Sequence, residues 1–187
     1  MAINVVLLIG SEDAGKNTTL IQFCKFYGYN PNINRKGKEV FRRGKVILKG
    51  KINNKDVLIL PMTSSPQEKE GFCHVKDVKQ LITDFMNNNQ KTAIKHGFKD
   101  YLVIIAFTIR VQDNKIGDVC ITEPIQKLIS DGYEVFKVYL KRQDITYFDE
   151  IDGFVENKLR YDKLIISGKD EGLRQATELK EFIEGKF

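Results

Sequence analysis

The residues best suited to chemistry form one short stretch near the start of the chain, Gly10-Ser11-Glu12-Asp13-Ala14-Gly15-Lys16-Asn17-Thr18. It follows an apolar run, 3–9, and precedes apolar residues at helical spacing. Gly10 lets the chain turn off a strand, and Gly15 lets backbone N–H groups come close to an anion. Lys16 adds a positive charge, and the start of the following helix adds a partial one. We therefore expect residues 10–18 to bind the phosphates of a nucleotide.

The spacing of Gly10, Gly15 and Lys16 resembles the P-loop, or Walker A motif, G-x-x-x-x-G-K-[ST]. The resemblance implies a P-loop NTPase that holds ATP or GTP with Mg²⁺, with Lys16 at the distal phosphates as a catalytic residue. Asn17 departs from the motif, because it stands where a Ser or Thr hydroxyl normally ligates magnesium. Its amide oxygen, or the hydroxyl of Thr18, would take that role, so Asn17 and Thr18 are the candidate metal ligands.

A second, acidic magnesium-holding residue is not found where it is expected, at the end of a neighbouring apolar run. The run 57–60 continues as Pro61-Met62-Thr63, and the run 103–106 continues as Phe107-Thr108. The sequence leaves the replacement open among Thr63, Thr108, Asp56, Glu68 and Asp118. Slow turnover, or none, is therefore one expectation.

Past the loop, the chain resembles nucleotide kinases, especially deoxynucleoside monophosphate kinases of the phage type. Their loops often read G-K-D-T, where this chain has Gly15-Lys16-Asn17-Thr18. The segments 103–110, 123–129 and 132–142 follow their order of a strand closing on a basic residue, a short helix and a further strand. The resemblance implies phosphoryl transfer to a nucleotide or another small acceptor. Arg110 and Arg142 are then catalytic candidates, because guanidinium groups suit phosphoryl oxygens. Lys141 and Arg160 are further candidates for holding the transferred or acceptor phosphates.

A second resemblance is to the Ras-like GTPases. The segment 61–68 lies where they carry D-x-x-G-Q-E, 141–144 where they carry N-K-x-D, and 167–169 where they carry S-A-K. The magnesium Asp, the Gly that senses the γ-phosphate and the Asn are all replaced. Without that Gly a nucleotide-driven switch has no trigger, so this resemblance implies a regulatory or structural module with weak turnover or none.

The apolar pattern predicts strands alternating with helices, and hence a mostly parallel sheet. Predicted strands cover 3–9, 45–52, 55–60, 101–109, 135–140 and 163–166, and predicted helices cover 18–26, 75–96, 122–130 and 171–184. Asn53-Asn54 predicts a tight hairpin turn, and the polar cluster 87–89 is expected to interrupt or end its helix. The fold class is α/β, a three-layer P-loop NTPase fold with a β-hairpin after the first helix. At 187 residues we expect a single domain, 1–187.

Composition indicates an ordinary globular protein, with 42% hydrophobic and 29% charged residues. No apolar run is long enough to cross a membrane, so we expect no membrane partner. Cys24, Cys73 and Cys120 show no C-x-x-C spacing, which favours a reduced, cytoplasmic setting. His74 and His96 lie far apart and outside any metal-ligand pattern.

The net charge of +5 is concentrated in one segment. Between residues 35 and 51 eight basic residues accompany the single acid Glu39; they are Arg35, Lys36, Lys38, Arg42, Arg43, Lys45, Lys49 and Lys51. Two interpretations stay open: a solvated hairpin face, or a surface that attracts substrate phosphates or nucleic acid. No nucleic-acid-binding motif accompanies the segment.

Overall fold

A computed structural model of the protein describes residues 3–11, 14–63, 75–109, 111–112, 115–116, 122–141, 163–167 and 172–186. These ranges form a mixed α/β structure. The strands are β1 (Ile3–Ser11), β2 (Asn32–Ile33), β3 (Glu39–Val40), β4 (Leu48–Ile52), β5 (Lys55–Pro61), β6 (Tyr101–Ile109), β7 (Val111–Gln112), β8 (Lys115–Ile116), β9 (Glu134–Lys141) and β10 (Lys163–Ser167). The helices are α1 (Lys16–Lys25), α2 (Val75–Lys95), α3 (Thr122–Ser130) and α4 (Gly172–Glu184).

Six strands form the main sheet, in the order β10-β9-β1-β6-β5-β4. All neighbours are parallel except β4, which pairs antiparallel with β5. β1 lies between β6 and β9, and its residues Val5–Ile9 are buried. A parallel strand covered on both faces must be apolar throughout, which explains the continuous hydrophobic run. The prediction of a mixed α/β chain with a mostly parallel sheet is confirmed.

Alternate residues of β1 point into two separate hydrophobic clusters. Val5, Leu7 and Ile9 join the cluster that contains the apolar faces of α2 and α3. Val6 and Leu8 join the cluster that contains α1 and α4. Because side chains alternate along a strand, helices on both sides are needed to bury it. α1 therefore packs on the same face of the sheet as α4.

The predicted hairpin after α1 is confirmed. Asn53 and Asn54 both have positive φ, 47° and 64°, as a two-residue turn between twisted strands requires. β4 begins only at Leu48, three residues later than predicted. Lys45 instead reaches α2, where its Nζ lies 3.3 Å from the carbonyl oxygen of Asn88 and 2.6 Å from the hydroxyl of Thr92.

The expectation that the cluster 87–89 would interrupt its helix is wrong. α2 continues through it to Lys95. Asn89 lies on the buried stripe of this helix between Met86 and Ala93, and is itself buried. The weak helix preference of Asn is overridden by packing of the apolar stripe on either side. No helix in the described ranges is long and apolar enough to cross a membrane.

Candidate phosphate-binding site

The predicted phosphate loop joins the central strand to the first helix. β1 ends at Ser11 and α1 begins at Lys16, two residues earlier than predicted; Glu12 and Asp13 lie outside the described residues. Gly10 pairs with Thr108 of β6 on one side and with Leu140 of β9 on the other. A Cβ on Gly10 would lie 3.0 Å from the Cβ of Ala14 and 3.3 Å from the Leu140 carbonyl oxygen. The close return of the chain at Ala14 therefore leaves little room for a side chain at position 10.

Gly15 is the N-cap of α1 and has the left-handed conformation, with φ 85° and ψ 11°. Glycine adopts this conformation without the steric cost of a Cβ. Its carbonyl oxygen accepts a 2.8 Å hydrogen bond from the N–H of Thr19, which closes the first turn. Because a glycine cap has no side chain, it makes no side-chain bond to the first N–H groups of the helix. These groups are the ones that bind anions at helix N-termini.

The side chain of Lys16 folds back across the loop. It is 7% exposed, and its Nζ donates a 3.0 Å hydrogen bond to the carbonyl oxygen of Gly10. The ammonium group thus connects the start of the helix to the end of the strand. A positive charge is held at the mouth of the loop, at the carboxyl edge of the parallel sheet, where ligands of open α/β sheets bind.

The two candidate metal ligands lie in the first turn of α1. Asn17 and Thr18 are both exposed. Thr18 also lies against α4, since a Cβ on Gly172 would be 2.6 Å from the Thr18 Cγ2. Both residues offer neutral oxygen atoms, which suit a hard cation such as Mg²⁺.

The helix α4 supports the loop through a residue that the sequence analysis missed. The Thr19 hydroxyl donates a 2.7 Å hydrogen bond to Oε1 of Gln175, and both residues are buried. A Cβ on Gly15 would lie 3.4 Å from the same oxygen. One feature of the sequence could have pointed to Gln175: it lies on the apolar stripe of α4, beside Ala176 and Leu179. A buried polar residue on such a stripe needs a partner, but the sequence does not show which one.

The register of the sheet shows which candidate replacements for the missing acidic residue lie close to the loop. Thr108 lies directly beside Gly10. Pro61 ends β5, which is two strands from β1 and hence about 10 Å away, and Thr63 follows it. Asp56 lies near the start of β5, at the opposite end of the sheet, so it does not reach the loop. Glu68 and Asp118 lie outside the described residues.

The other sequence-predicted residues are not brought to the loop by any described contact. Arg110, Arg142 and Arg160 lie outside the described residues, and Lys141 ends β9. Cys24 lies on the core side of α1, and burial raises the pKa of its thiol to about 12. The thiol therefore stays protonated at neutral pH and acts as an apolar packing group rather than a nucleophile.

No protein-family model matches the chain, and a search of curated proteins finds no match.

Proposed function

We propose that the protein binds a nucleoside triphosphate, ATP or GTP, through residues 10–18 of a three-layer P-loop NTPase fold. One observation carries the proposal: the ammonium group of Lys16 lies 3.0 Å from the Gly10 carbonyl oxygen, across a strand-to-helix turn that has Gly15 at its end. A glycine-capped helix N-terminus and a lysine ammonium group then lie at the same strand-to-helix turn, and groups of this kind bind polyphosphates.

In this proposal each residue has a separate task. The N–H groups at the start of α1 hold phosphate oxygens, while Lys16 exchanges its bond to Gly10 for the distal phosphates. The Asn17 amide oxygen and the Thr18 hydroxyl are the groups that would hold Mg²⁺, which neutralises phosphate charge. Gln175 and Thr19 keep the first turn of the helix in place through their buried hydrogen bond.

We further propose that the terminal phosphoryl group passes to a nucleotide or another small acceptor, as in nucleotide kinases. The strand order supports this choice, because β6 is the strand next to β1 and Arg110 follows it directly in the sequence. The segment with Gln67, on which the GTPase resemblance depends, instead follows β5, one strand further away. Phosphoryl transfer depends chiefly on positioning and charge neutralisation, which basic side chains supply.

A second candidate function is nucleotide binding with weak turnover or none, as in a GTPase-related regulatory or structural module. It is favoured by Thr108, because the residue beside Gly10 in the neighbouring strand is a neutral hydroxyl rather than a carboxylate. A neutral group binds Mg²⁺ less strongly than a carboxylate does, so the catalytic metal would be held weakly.

The first test is a binding and turnover panel with Lys16→Ala and the unchanged protein. ATP and GTP are supplied with Mg²⁺, alone and with individual nucleoside monophosphates. We expect Lys16→Ala to weaken triphosphate binding by about 10- to 150-fold, because a hydrogen bond to a charged group contributes ~1.5–3 kcal/mol. Isothermal titration calorimetry measures the affinity, and circular dichroism confirms the fold.

Lys91→Ala is the control, since Lys91 is an exposed lysine of α2. Diphosphate that forms only with an acceptor supports the kinase. Tight binding without turnover, or guanine-selective binding without acceptor dependence, supports the second candidate. Equal affinity of Lys16→Ala and the unchanged protein for both triphosphates would overturn nucleotide binding at this loop.

A further inference from the structure

The basic segment identified in the sequence divides into two groups of side chains. Three of its eight basic residues have neighbours in the fold: Lys45 bonds α2, Lys49 lies 5.8 Å above the Phe98 ring, and Lys51 lies 4.0 Å from Asp56. The other five are exposed and make no ion pair with an acidic residue of the described ranges. We call these five residues the basic hairpin: Arg35, Lys36, Lys38, Arg42 and Arg43.

The single acid of this segment does not neutralise the basic hairpin. Glu39 accepts a 2.8 Å bond from the ammonium of Lys25 and a 2.6 Å bond from the amide of Gln22. Both partners belong to α1, so the negative charge of Glu39 faces the helix and is paired there. Among the residues that the structure describes, the five cations have no local counter-charge.

The backbone that carries these cations is ordered by its own hydrogen bonds. β2 and β3 pair antiparallel, and the Asn34 N–H bonds the Lys38 carbonyl oxygen at 2.9 Å. The Asn34 side-chain oxygen accepts bonds from the N–H groups of Lys36 and Lys38, at 2.9 Å and 3.0 Å. The tip of the hairpin, residues 34–38, is therefore a hydrogen-bonded turn.

The base of the hairpin is held as well. The Tyr29 hydroxyl accepts a 2.8 Å bond from the Arg42 N–H, and the Tyr29 and Phe41 rings lie 5.5 Å apart. The cations thus project from a two-stranded ribbon whose position is fixed against α1.

The basic hairpin is separate from the phosphate loop. The ribbon that carries it contacts α1 through Glu39, which bonds Gln22 and Lys25, whereas Lys16 lies in the first turn. Along the helix axis these two contacts lie about 9 Å and about 14 Å from Lys16. These distances argue against the interpretation that the segment gathers phosphates for the nucleotide site.

From this arrangement we propose that the basic hairpin binds nucleic acid through its phosphate backbone. Regularly spaced phosphates match several cations on one rigid element, and a two-stranded ribbon fits the major groove of a duplex. Within 29–45 the single exposed large apolar side chain is Ile33, 62% exposed. One apolar residue is less than a membrane-inserting surface normally carries, so nucleic acid is the better match.

The test compares two variants that remove the same charge. Lys36→Gln with Lys38→Gln alters the tip of the basic hairpin but keeps its backbone hydrogen bonds. Lys91→Gln with Lys95→Gln removes two exposed lysines from α2. Fluorescence anisotropy measures binding of duplex DNA, single-stranded DNA and duplex RNA between about 50 and 200 mM salt.

We expect the unchanged protein to bind at least one of these nucleic acids with strong salt dependence. For duplex DNA, losing two phosphate contacts should reduce the slope of log affinity against log salt by about 1.8, and the affinity at low salt by roughly tenfold or more. The α2 variant should keep the slope of the unchanged protein.

Three results would overturn the proposal. The first is no binding to any of the three nucleic acids at the lowest salt. The second is an equal loss in both double variants, which would show a general charge effect. The third is binding to phosphatidylserine vesicles without binding to nucleic acid, which would assign the surface to a membrane. None of these results bears on nucleotide binding at Lys16.

Discussion

The two ends of α1 use polar residues in opposite ways. At the first turn, Lys16 and Thr19 are buried, and their side chains bond Gly10 and Gln175. At the last turn, Lys25 is partly exposed and bonds Glu39 at the protein surface. One short helix thus makes buried polar contacts through Lys16 and Thr19 at its first turn and a partly solvated ion pair through Lys25 at its last.

Because of this difference, we expect the two ends to bind different kinds of anion, with different dependence on salt. Buried hydrogen bonds hold donors in fixed positions and are little screened by salt, so the first turn suits a short phosphate chain held in one position. Exposed charges act over a Debye length and weaken as salt rises, so the other end suits a long, repeating polyanion. The proposed nucleotide and nucleic acid therefore belong to different ends of the same helix.

Each end of α1 has a glycine packed against it. Gly172 lies against the first turn, and Gly50 lies against Tyr27, just after the last turn. A Cβ on Gly172 of α4 would lie 2.6 Å from the Cγ2 of Thr18. A Cβ on Gly50 of β4 would overlap Cδ1 of Tyr27, two residues past the helix. The same substitution at these two positions strains the two ends separately.

The largest effects are expected from Gly172→Ala and Gly50→Ala. Each should lower the free energy of unfolding by about 2 kcal/mol, because overpacking forces neighbouring groups to move. Only Gly172→Ala should also weaken nucleotide binding, since it displaces α4 from the first turn of α1. Urea denaturation measures stability, and calorimetry with ATP or GTP measures affinity.

Lys51→Ala, an exposed change on the same strand as Gly50, is the control and should leave both quantities nearly unchanged. An equal loss of nucleotide affinity in the two glycine variants would contradict the separation of the two ends.

Local features of this fold could be predicted from the sequence. The bounds of β6 agree with the apolar run 101–109, and the Asn53-Asn54 turn follows from the positive φ that Asn tolerates. Helical spacing of apolar residues located α2 and α3. In each of these cases the deciding interactions lie within a few residues of one another.

Features that depend on distant residues could not be predicted. The sequence does not show that β6 separates β1 from β5, because strand order is set by how the helices cross the sheet. The bond between Thr19 and Gln175 joins residues 156 positions apart. The short strands β2 and β3 are not among the predicted strands, since pairs this short carry no periodic pattern. The turn from β1 into α1, with Gly10, Gly15 and Lys16, could thus be located from the sequence, whereas its contact with α4 could not.

A smaller effect is expected from the buried bond between Thr19 and Gln175. Gln175→Leu should cost about 1–2 kcal/mol of stability, because it leaves the Thr19 hydroxyl without its acceptor in a buried site. It should also weaken nucleotide binding severalfold, since the first turn of α1 loses a fixed contact. Equilibrium unfolding and calorimetry measure the two effects.

Thr19→Val and the double variant complete a thermodynamic cycle. A coupling energy of about 1 kcal/mol between the two positions is expected for residues that share a hydrogen bond. Thr19→Ser keeps the hydroxyl and should retain most of the nucleotide affinity. If Gln175→Leu destabilised the protein without changing nucleotide affinity, α4 would serve the fold alone and not the phosphate loop.

The smallest effect is expected at the exposed end, from Glu39→Gln. Its ion pair with Lys25 is partly solvated, so the loss of stability should be about 0.5 kcal/mol or less. Removing this carboxylate leaves Lys25 without its ion-pair partner beside the basic hairpin, so nucleic acid binding should tighten, by roughly twofold at low salt. Nucleotide affinity should stay unchanged, because Glu39 contacts Gln22 and Lys25 in the second half of α1 and not the first turn with Lys16. Anisotropy with duplex DNA measures the first affinity, and calorimetry with ATP or GTP measures the second. Weaker DNA binding by Glu39→Gln would show that the carboxylate holds the hairpin in shape and does not only offset its charge.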